Sequence, residues 1–243
     1  MRAFVVAFTL VLAAPALAEP APAPAVQADP GGYLAPSARP DLTVALAPPP
    51  APGSPRAKAD AAIFAETRAL RGSERWKLAT ADVDGEAYDQ FAEALGVRLT
   101  PQEAPVLTAL LERAGDDRSV VGDAKAHWGT KRPYIGTDQP ICQPKTAHLA
   151  GNPDYPSGHS AYGMHVAMIL AELAPQRAAA LYARGREFAE SRYICGAHSY
   201  SAVEAGILAG ALIYGAEQSS PAFRRDMEAA RIEVQAALAR AGR

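Results

Sequence analysis

The sequence predicts an all-α, single-domain helical bundle. Apolar residues recur at helical spacing through most of the chain after residue 57. Cap and stop residues punctuate those runs, and no convincing strand pairs or hairpin signals occur. A chain of 243 residues can build one substantial core, and the periodic runs are enough for six or more helices.

Met1-Arg2 opens the chain, followed by an apolar run from Ala3 to Leu17 that ends in Ala16-Leu17-Ala18. A basic start, a short apolar stretch and small residues before the cleavage point describe a secretory signal peptide over residues 1–18. The run is too short for a comfortable membrane span, and Glu19 follows it at once. The expected product is exported, periplasmic or secreted, with no membrane attachment after signal cleavage.

Residues 19–57 read as a Pro/Ala-rich extended arm, including Ala47-Pro48-Pro49-Pro50-Ala51-Pro52. Its first part, to about Gln27, is predicted disordered. Tyr33, Leu34, Leu42, Val44 and Leu46 give the remainder apolar residues to pack against the body.

Residues 58–243 are the predicted helical domain. Helices are expected over 58–71 and from Asp84 to Leu95, with Gly96 as a C-terminal cap. Another is expected to start at Thr100-Pro101-Gln102-Glu103 and carry Val106, Leu107, Leu110 and Leu111. Residues 129–155 read as loop, unusually long for a compact domain unless functional. Helices are expected again over 157–173, about 175–194, about 199–217, and from Pro221 to about Arg240.

Composition narrows the function. Lys and Arg number 24 against 26 Asp and Glu, which leaves no electrostatic case for nucleic acid or for an anionic membrane surface. Any anion site must come from a few placed cations. The two cysteines, Cys142 and Cys195, are a disulfide candidate in an exported chain; two buried free thiols are the alternative.

Three segments carry that placed chemistry. Lys125 is followed by Arg132-Pro133, then by Pro156-Ser157-Gly158-His159 at the start of an apolar helix, then by Ser191-Arg192 and His198. The first turn of a helix offers free N–H groups and the positive end of its dipole. With two arginines, a lysine and two histidines, the set suits a tetrahedral oxyanion such as phosphate. Phosphoryl transfer requires charge on the equatorial oxygens, an in-line nucleophile and an acid for the leaving group.

These segments resemble the signature of the type 2 phosphatidic acid phosphatase superfamily, which also contains vanadium haloperoxidases. More closely, the chain resembles the bacterial class A non-specific acid phosphatases. The likeness extends to Ser191-Arg192-Tyr193-Ile194-Cys195-Gly196, to Leu46 through Pro52, and to Arg68-Ala69-Leu70-Arg71-Gly72-Ser73-Glu74-Arg75-Trp76. It implies the helical bundle of that family, phosphate monoesters as substrates, inorganic phosphate as product or inhibitor, and no cofactor or metal. It also implies roles: Lys125, Arg132, Arg192, Ser157 and the Gly158 N–H hold phosphate, His198 attacks phosphorus to give a phosphohistidine, and His159 is the general acid and base. Members of the family are often oligomers, so a homo-oligomer is a further implication. His165, in the middle of an apolar helix, reads as structural, and His127 and His148 match no position of the signature.

The chain departs from the family at one point. A carboxylate is expected four residues after the nucleophilic histidine, and here that residue is Ala202. A histidine attacking through one ring nitrogen needs its other nitrogen protonated and held by an acceptor. Ser201 is the nearest candidate orienter in sequence, and Glu204 lies well around the helix from that face. Reduced turnover is therefore expected. A relative that binds phosphate or phosphoesters without turning them over is the alternative, and haloperoxidase chemistry with vanadate is less favoured because the acid phosphatase likeness extends past the shared signature.

Overall fold

Ser54 closes the proline run and begins the helical body. Its Oγ accepts the Ala57 N–H at 3.2 Å, and Pro55 takes the first helical position, where an absent N–H is no loss. The computed structural model describes Met1 and residues 31–242; the rest of the expected signal peptide and the start of the arm lie outside the described residues. In chain order the α-helices are α1 (Leu42–Ala45), α2 (Pro55–Thr67), α3 (Glu74–Ala81), α4 (Ala87–Gln90), α5 (Ala92–Leu95), α6 (Pro105–Asp117), α7 (Val120–Trp128), α8 (Ala147–Gly151), α9 (Gly158–Leu173), α10 (Ala178–Cys195), α11 (Tyr200–Glu217) and α12 (Pro221–Ala241). No strand occurs among the described residues, in agreement with the all-α expectation.

α9 is the central helix. Ala161, Val166, Ala167, Ile169, Leu170 and Leu173 are buried along it, with α10 on one flank and α11 on the other. α12 closes the bundle against α6, and α3 packs on α10. Small residues let α11 approach closely: a Cβ on Gly206 would lie 2.4 Å from the Ser157 carbonyl oxygen, and one on Gly210 would lie 2.4 Å from that of Ala161. The helix carrying the residues after His198 is thus pressed onto the first turn of α9.

The described part of the arm is fastened by polar contacts as well as apolar ones. The Tyr33 and Leu34 N–H groups donate to the Asp117 carboxylate at 2.7 and 3.1 Å, and the Tyr33 hydroxyl donates to Asp226 at 2.9 Å. Leu42 and Leu46 join Val120, Val121, Tyr155 and Ala202 in one apolar cluster. Val44, expected to pack, is exposed.

Several elements differ from the sequence reading: α1 lies in the arm expected to be extended, α8 in the stretch expected as loop, and α3 carries no expectation. The helix expected from Asp84 to Leu95 is broken at Phe91 (φ −110°, ψ 0°), whose buried ring is anchored against Phe188 and Arg184 of α10, so tertiary packing overrides local propensity. Thr100 and Glu103 form the reciprocal capping contacts expected, but only a turn results. Pro105 disfavours helical backbone at Ala104, and α6 starts after it. α7 carries no expectation in the sequence reading; it is short and has Gly122 in its interior.

His165 lies fully buried in α9, with Nε2 2.7 Å from Glu217 and Nδ1 3.2 Å from Arg118. Burial lifts the Glu217 carboxyl to about 9, and burial with Arg118 nearby lowers His165 to about 3. The pair is held uncharged, which is the form that a dry interior tolerates.

The close approach of α11 is testable. Gly210→Ala is expected to destabilise the fold by about 1–3 kcal/mol through overpacking. Gly122→Ala, where no atom lies within 4 Å of the added Cβ, is expected to be neutral or stabilising by roughly 0.5–1 kcal/mol. Denaturant midpoints of the two variants check the contrast.

Candidate active site

The turn Tyr155-Pro156, joined by a cis peptide, delivers the chain to the start of α9. Ser157 is the N-cap. Its Oγ accepts the Ser160 N–H at 3.3 Å and the Ser160 hydroxyl at 2.9 Å, and its own N–H donates to the Ala202 carbonyl at 2.9 Å. Both contacts use the Ser157 oxygen as acceptor, which leaves its own hydroxyl proton available to donate. Gly158 and His159 follow, and their first-turn N–H groups have no acceptor within the helix.

Gly158 and His159 line a cleft of about 280 Å³ together with Lys125, Arg132, Arg192 and His198. Each arrives on a different element: Lys125 on the last turn of α7, Arg132 on the loop beyond it, Arg192 near the end of α10, and His198 in the short link to α11. The structure thus brings together residues spread over more than seventy positions of sequence. His148, in α8, also lines the cleft and is exposed, whereas His127 is exposed and stacks edge-on with Trp128.

Backbone carbonyls hold the cations. Lys125 Nζ donates to the Pro153 carbonyl, Arg132 Nε to that of Asn152 at 2.7 Å, and Arg132 Nη1 to that of Ala197 at 2.8 Å. Arg192 is almost completely buried; its Nη2 donates to Gln143 Oε1 at 2.5 Å, while Nε and Nη1 have no partner among the described residues. Two buried guanidinium N–H groups without an acceptor are costly unless an anion meets them. The cleft has the donors and the charge for such an anion.

His198 is oriented at both ring nitrogens. Nδ1 lies 2.8 Å from the Asp154 carbonyl oxygen and 2.9 Å from Asp154 Oδ1, and Nε2 lies 3.0 Å from Arg132 Nη1. Both neighbours of Nδ1 are acceptors and the neighbour of Nε2 is a donor. The proton therefore sits on Nδ1, and the lone pair sits on Nε2 among the cations. Ser201, the sequence candidate for this orienting role, is elsewhere engaged: its N–H and hydroxyl both donate to Asp60 Oδ1, at 2.9 and 3.0 Å.

Electrostatics follow from burial and crowding. Desolvation, with Arg132, Lys125 and Arg192 close by, holds His198 well below the ordinary imidazole range. His159 is lowered to about 3 by burial and Arg192, and its Nε2 lies 3.1 Å from the Val83 carbonyl, which fixes that nitrogen as the protonated one. Burial and Arg132 bring Lys125 down to about 7. Burial lifts the Asp154 carboxyl to about 6, against the opposing pull of Ser199, Arg132 and Lys125.

Further residues support the site, and of these the sequence reading assigned a role only to Cys142 and Cys195. Arg68 donates to the carbonyls of Pro140, Ile194 and Cys195 at 2.6, 2.6 and 3.0 Å, with its guanidinium over the Phe64 and Trp76 rings. It thereby fixes the C-terminal end of α10, one turn past Arg192. Ser191 donates to Asp82 at 2.6 Å and accepts from Arg75 at 2.9 Å. Cys142 and Cys195 are bridged, with Cα atoms 4.8 Å apart, which places Gln143 beside Arg192. Asp154 had no signal of its own, because an aspartate in a loop rich in Pro and Gly reads as a turn residue. Among the described residues, no group of three or more His, Cys, Asp or Glu is placed to hold a metal ion.

This arrangement is an all-α bundle with cations and histidines gathered at the start of a buried helix. The chain belongs to the PAP2 superfamily: the family model of that description matches residues 107–222. It is 43% identical over 202 residues to an acid phosphatase of Zymomonas mobilis subsp. mobilis, covering 81% of this chain and 76% of that protein. It is 35% identical over 197 residues to a non-specific acid phosphatase of Salmonella typhimurium, covering 78% of each chain. Similarity to a non-specific acid phosphatase of Providencia stuartii is 34% over 209 residues, covering 83% of this chain and 84% of that one.

The disulfide closes a loop of sequence separation 53. Chain-entropy reasoning gives it about 4 kcal/mol of stability. Cys142→Ser with Cys195→Ser is expected to lower stability by up to that amount and to weaken phosphate binding through the Gln143–Arg192 contact. Denaturant unfolding and phosphate titration of the double variant check both effects.

Proposed function

We propose that the protein is an exported acid phosphatase that hydrolyses phosphate monoesters through a phosphohistidine on His198. The observation that carries the reading is the convergence of Lys125, Arg132 and Arg192 on one cleft, with two Arg192 nitrogens unpaired and His198 Nε2 3.0 Å from Arg132 Nη1. The names of the relatives support the same activity.

In the first step the Nε2 lone pair attacks phosphorus and the bond to the ester oxygen breaks. His159 gives that oxygen a proton, and the alcohol leaves. In the second step His159 takes a proton from water, water oxygen bonds phosphorus, the Nε2–P bond breaks and inorganic phosphate departs. Lys125, Arg132, Arg192 and the Gly158 N–H carry the charge on the equatorial oxygens throughout. The mechanism uses no metal, because the cations of the chain supply the charge. Asp154 Oδ1, 2.9 Å from Nδ1, supports turnover over binding without turnover, although residue 202 lacks a carboxylate.

Export rests on the N-terminal sequence, and the Cys142–Cys195 bridge suits an oxidising compartment. Among the described residues no helix is long and apolar enough to cross a membrane.

Low pH favours this chemistry. Burial and the cations Arg192, Arg132 and Lys125 lower the proton affinity of His159 before a substrate binds. A phosphate monoester keeps one proton below about pH 6, and its negative charge beside His159 raises the proton affinity of the ring. Raising the pH removes that proton and then, near 7, the Lys125 charge. The value of kcat/KM is expected to fall as pH rises through about 6–7, and Lys125→Met should remove the part of the fall that belongs to phosphate binding.

Substitutions separate the two histidines. His198→Ala should cost at least about 10³-fold in kcat with any ester. His159→Ala should cost about 10²–10⁴ in kcat/KM with an alkyl phosphate and much less with a nitrophenyl phosphate, whose leaving group needs no proton, while kcat falls with both esters because the second step loses its base. Steady-state assays with both esters check this, and abolition of activity by a chelator would contradict the metal-free mechanism.

A further inference from the structure

We propose that Asp154 is the positioning carboxylate of His198, supplied by the loop before α9 in place of a side chain at residue 202. The inference rests on the reading of His198 as the nucleophile.

Ser199 is the N-cap of α11 and Ala202 is its third helical residue. A carboxylate at that third position characteristically reaches back to the N-cap N–H. Here the Ser199 N–H donates instead to Asp154, at 3.1 Å to Oδ1 and 3.4 Å to Oδ2, and the Ser199 hydroxyl donates to Oδ2 at 2.6 Å. The same Oδ1 takes His198 Nδ1 at 2.9 Å. Asp154 thus satisfies the N-cap donor that a carboxylate on residue 202 would satisfy, and it holds the imidazole proton as well.

Ala202 matches this arrangement. It is completely buried in the apolar cluster with Tyr155 and Ala161, and its methyl group makes no demand on those donors. Two carboxylates converging on His198 Nδ1 and the Ser199 N–H would repel at close range in a dry site, so one of the two positions is expected to be neutral. This chain places the charge at 154 and an alanine at 202.

The carboxylate has a specific task. When Nε2 bonds phosphorus, the imidazole becomes cationic while Arg132, Lys125 and Arg192 surround it. The Asp154 carbonyl, 2.8 Å from Nδ1, can fix the tautomer but carries no net charge. Oδ1 adds the negative charge that stabilises the cationic ring, and the cationic ring in turn draws the carboxyl down from about 6, so that it is ionised when that charge forms.

Asp154→Asn tests this. It is expected to lower kcat by about 10²–10⁴, the upper end being the loss seen when a serine-protease triad loses its carboxylate in another protein. KM and inhibition by inorganic phosphate should stay within about threefold, because the phosphate cradle is untouched. Adding Ala202→Asp to that variant should recover at least about tenfold in kcat, whereas Ala202→Asp in the wild-type background should give no gain. A kcat for Asp154→Asn within threefold of wild type overturns the proposal. So does a tenfold gain from Ala202→Asp alone, which needs no variant at 154 to fold. An inactive His198→Ala beside a fully active Asp154→Asn refutes only this inference, while an active His198→Ala refutes the nucleophile assignment itself.

Discussion

Three cations crowd one buried cleft, and the rest of the site answers to that crowding. Burial lowers the proton affinity of all three, Arg132 lowers that of Lys125 and Arg192 further, and burial with all three cations lowers that of both histidines. Carbonyls of Pro153, Asn152 and Ala197 absorb part of the charge, and Asp154 supplies the nearest buried anion. On the function proposed above, a phosphate group corrects the remaining imbalance on arrival. Burial and the same cations hold His198 neutral, as the proposed nucleophile requires, and the proposed acid role of His159 needs an anion beside it.

Holding like charges together demands a stiff frame, and the fold provides one. The α10 end that bears Arg192 is gripped by Arg68 from α2's extension and by the Cys142–Cys195 bridge. The first turn of α9 is pinned by the Ser157–Ala202 hydrogen bond and by the close approach of Gly206 and Gly210. Mutual repulsion therefore raises the affinity for an anion instead of spreading the cations apart.

Much of this was legible in the sequence. Long periodic runs gave α9, α10, α11 and α12 nearly to their ends, because apolar spacing and caps such as Ser157, Ser199 and Ser220 agree there. The Lys125, Arg132, Gly158, His159, Arg192 and His198 set was legible from residue chemistry and order. The breaks at Phe91 and Ala104 were not, since one depends on a ring buried against α10 and the other on a proline just past a good start signal. Nor was Asp154, whose partners His198 and Ser199 lie 44 and 45 residues away. Sequence proximity pointed to Ser201, which the fold gives to Asp60.

The central claim is that His198 Nε2 is the atom that takes the phosphoryl group. Rapid denaturation during turnover of a ³²P-labelled monoester, followed by peptide mapping in alkali, measures it directly. The account predicts an alkali-stable, acid-labile label confined to the peptide containing His198 and absent from His198→Ala. Label on His159 or on a serine, or full turnover by His198→Ala, would contradict it.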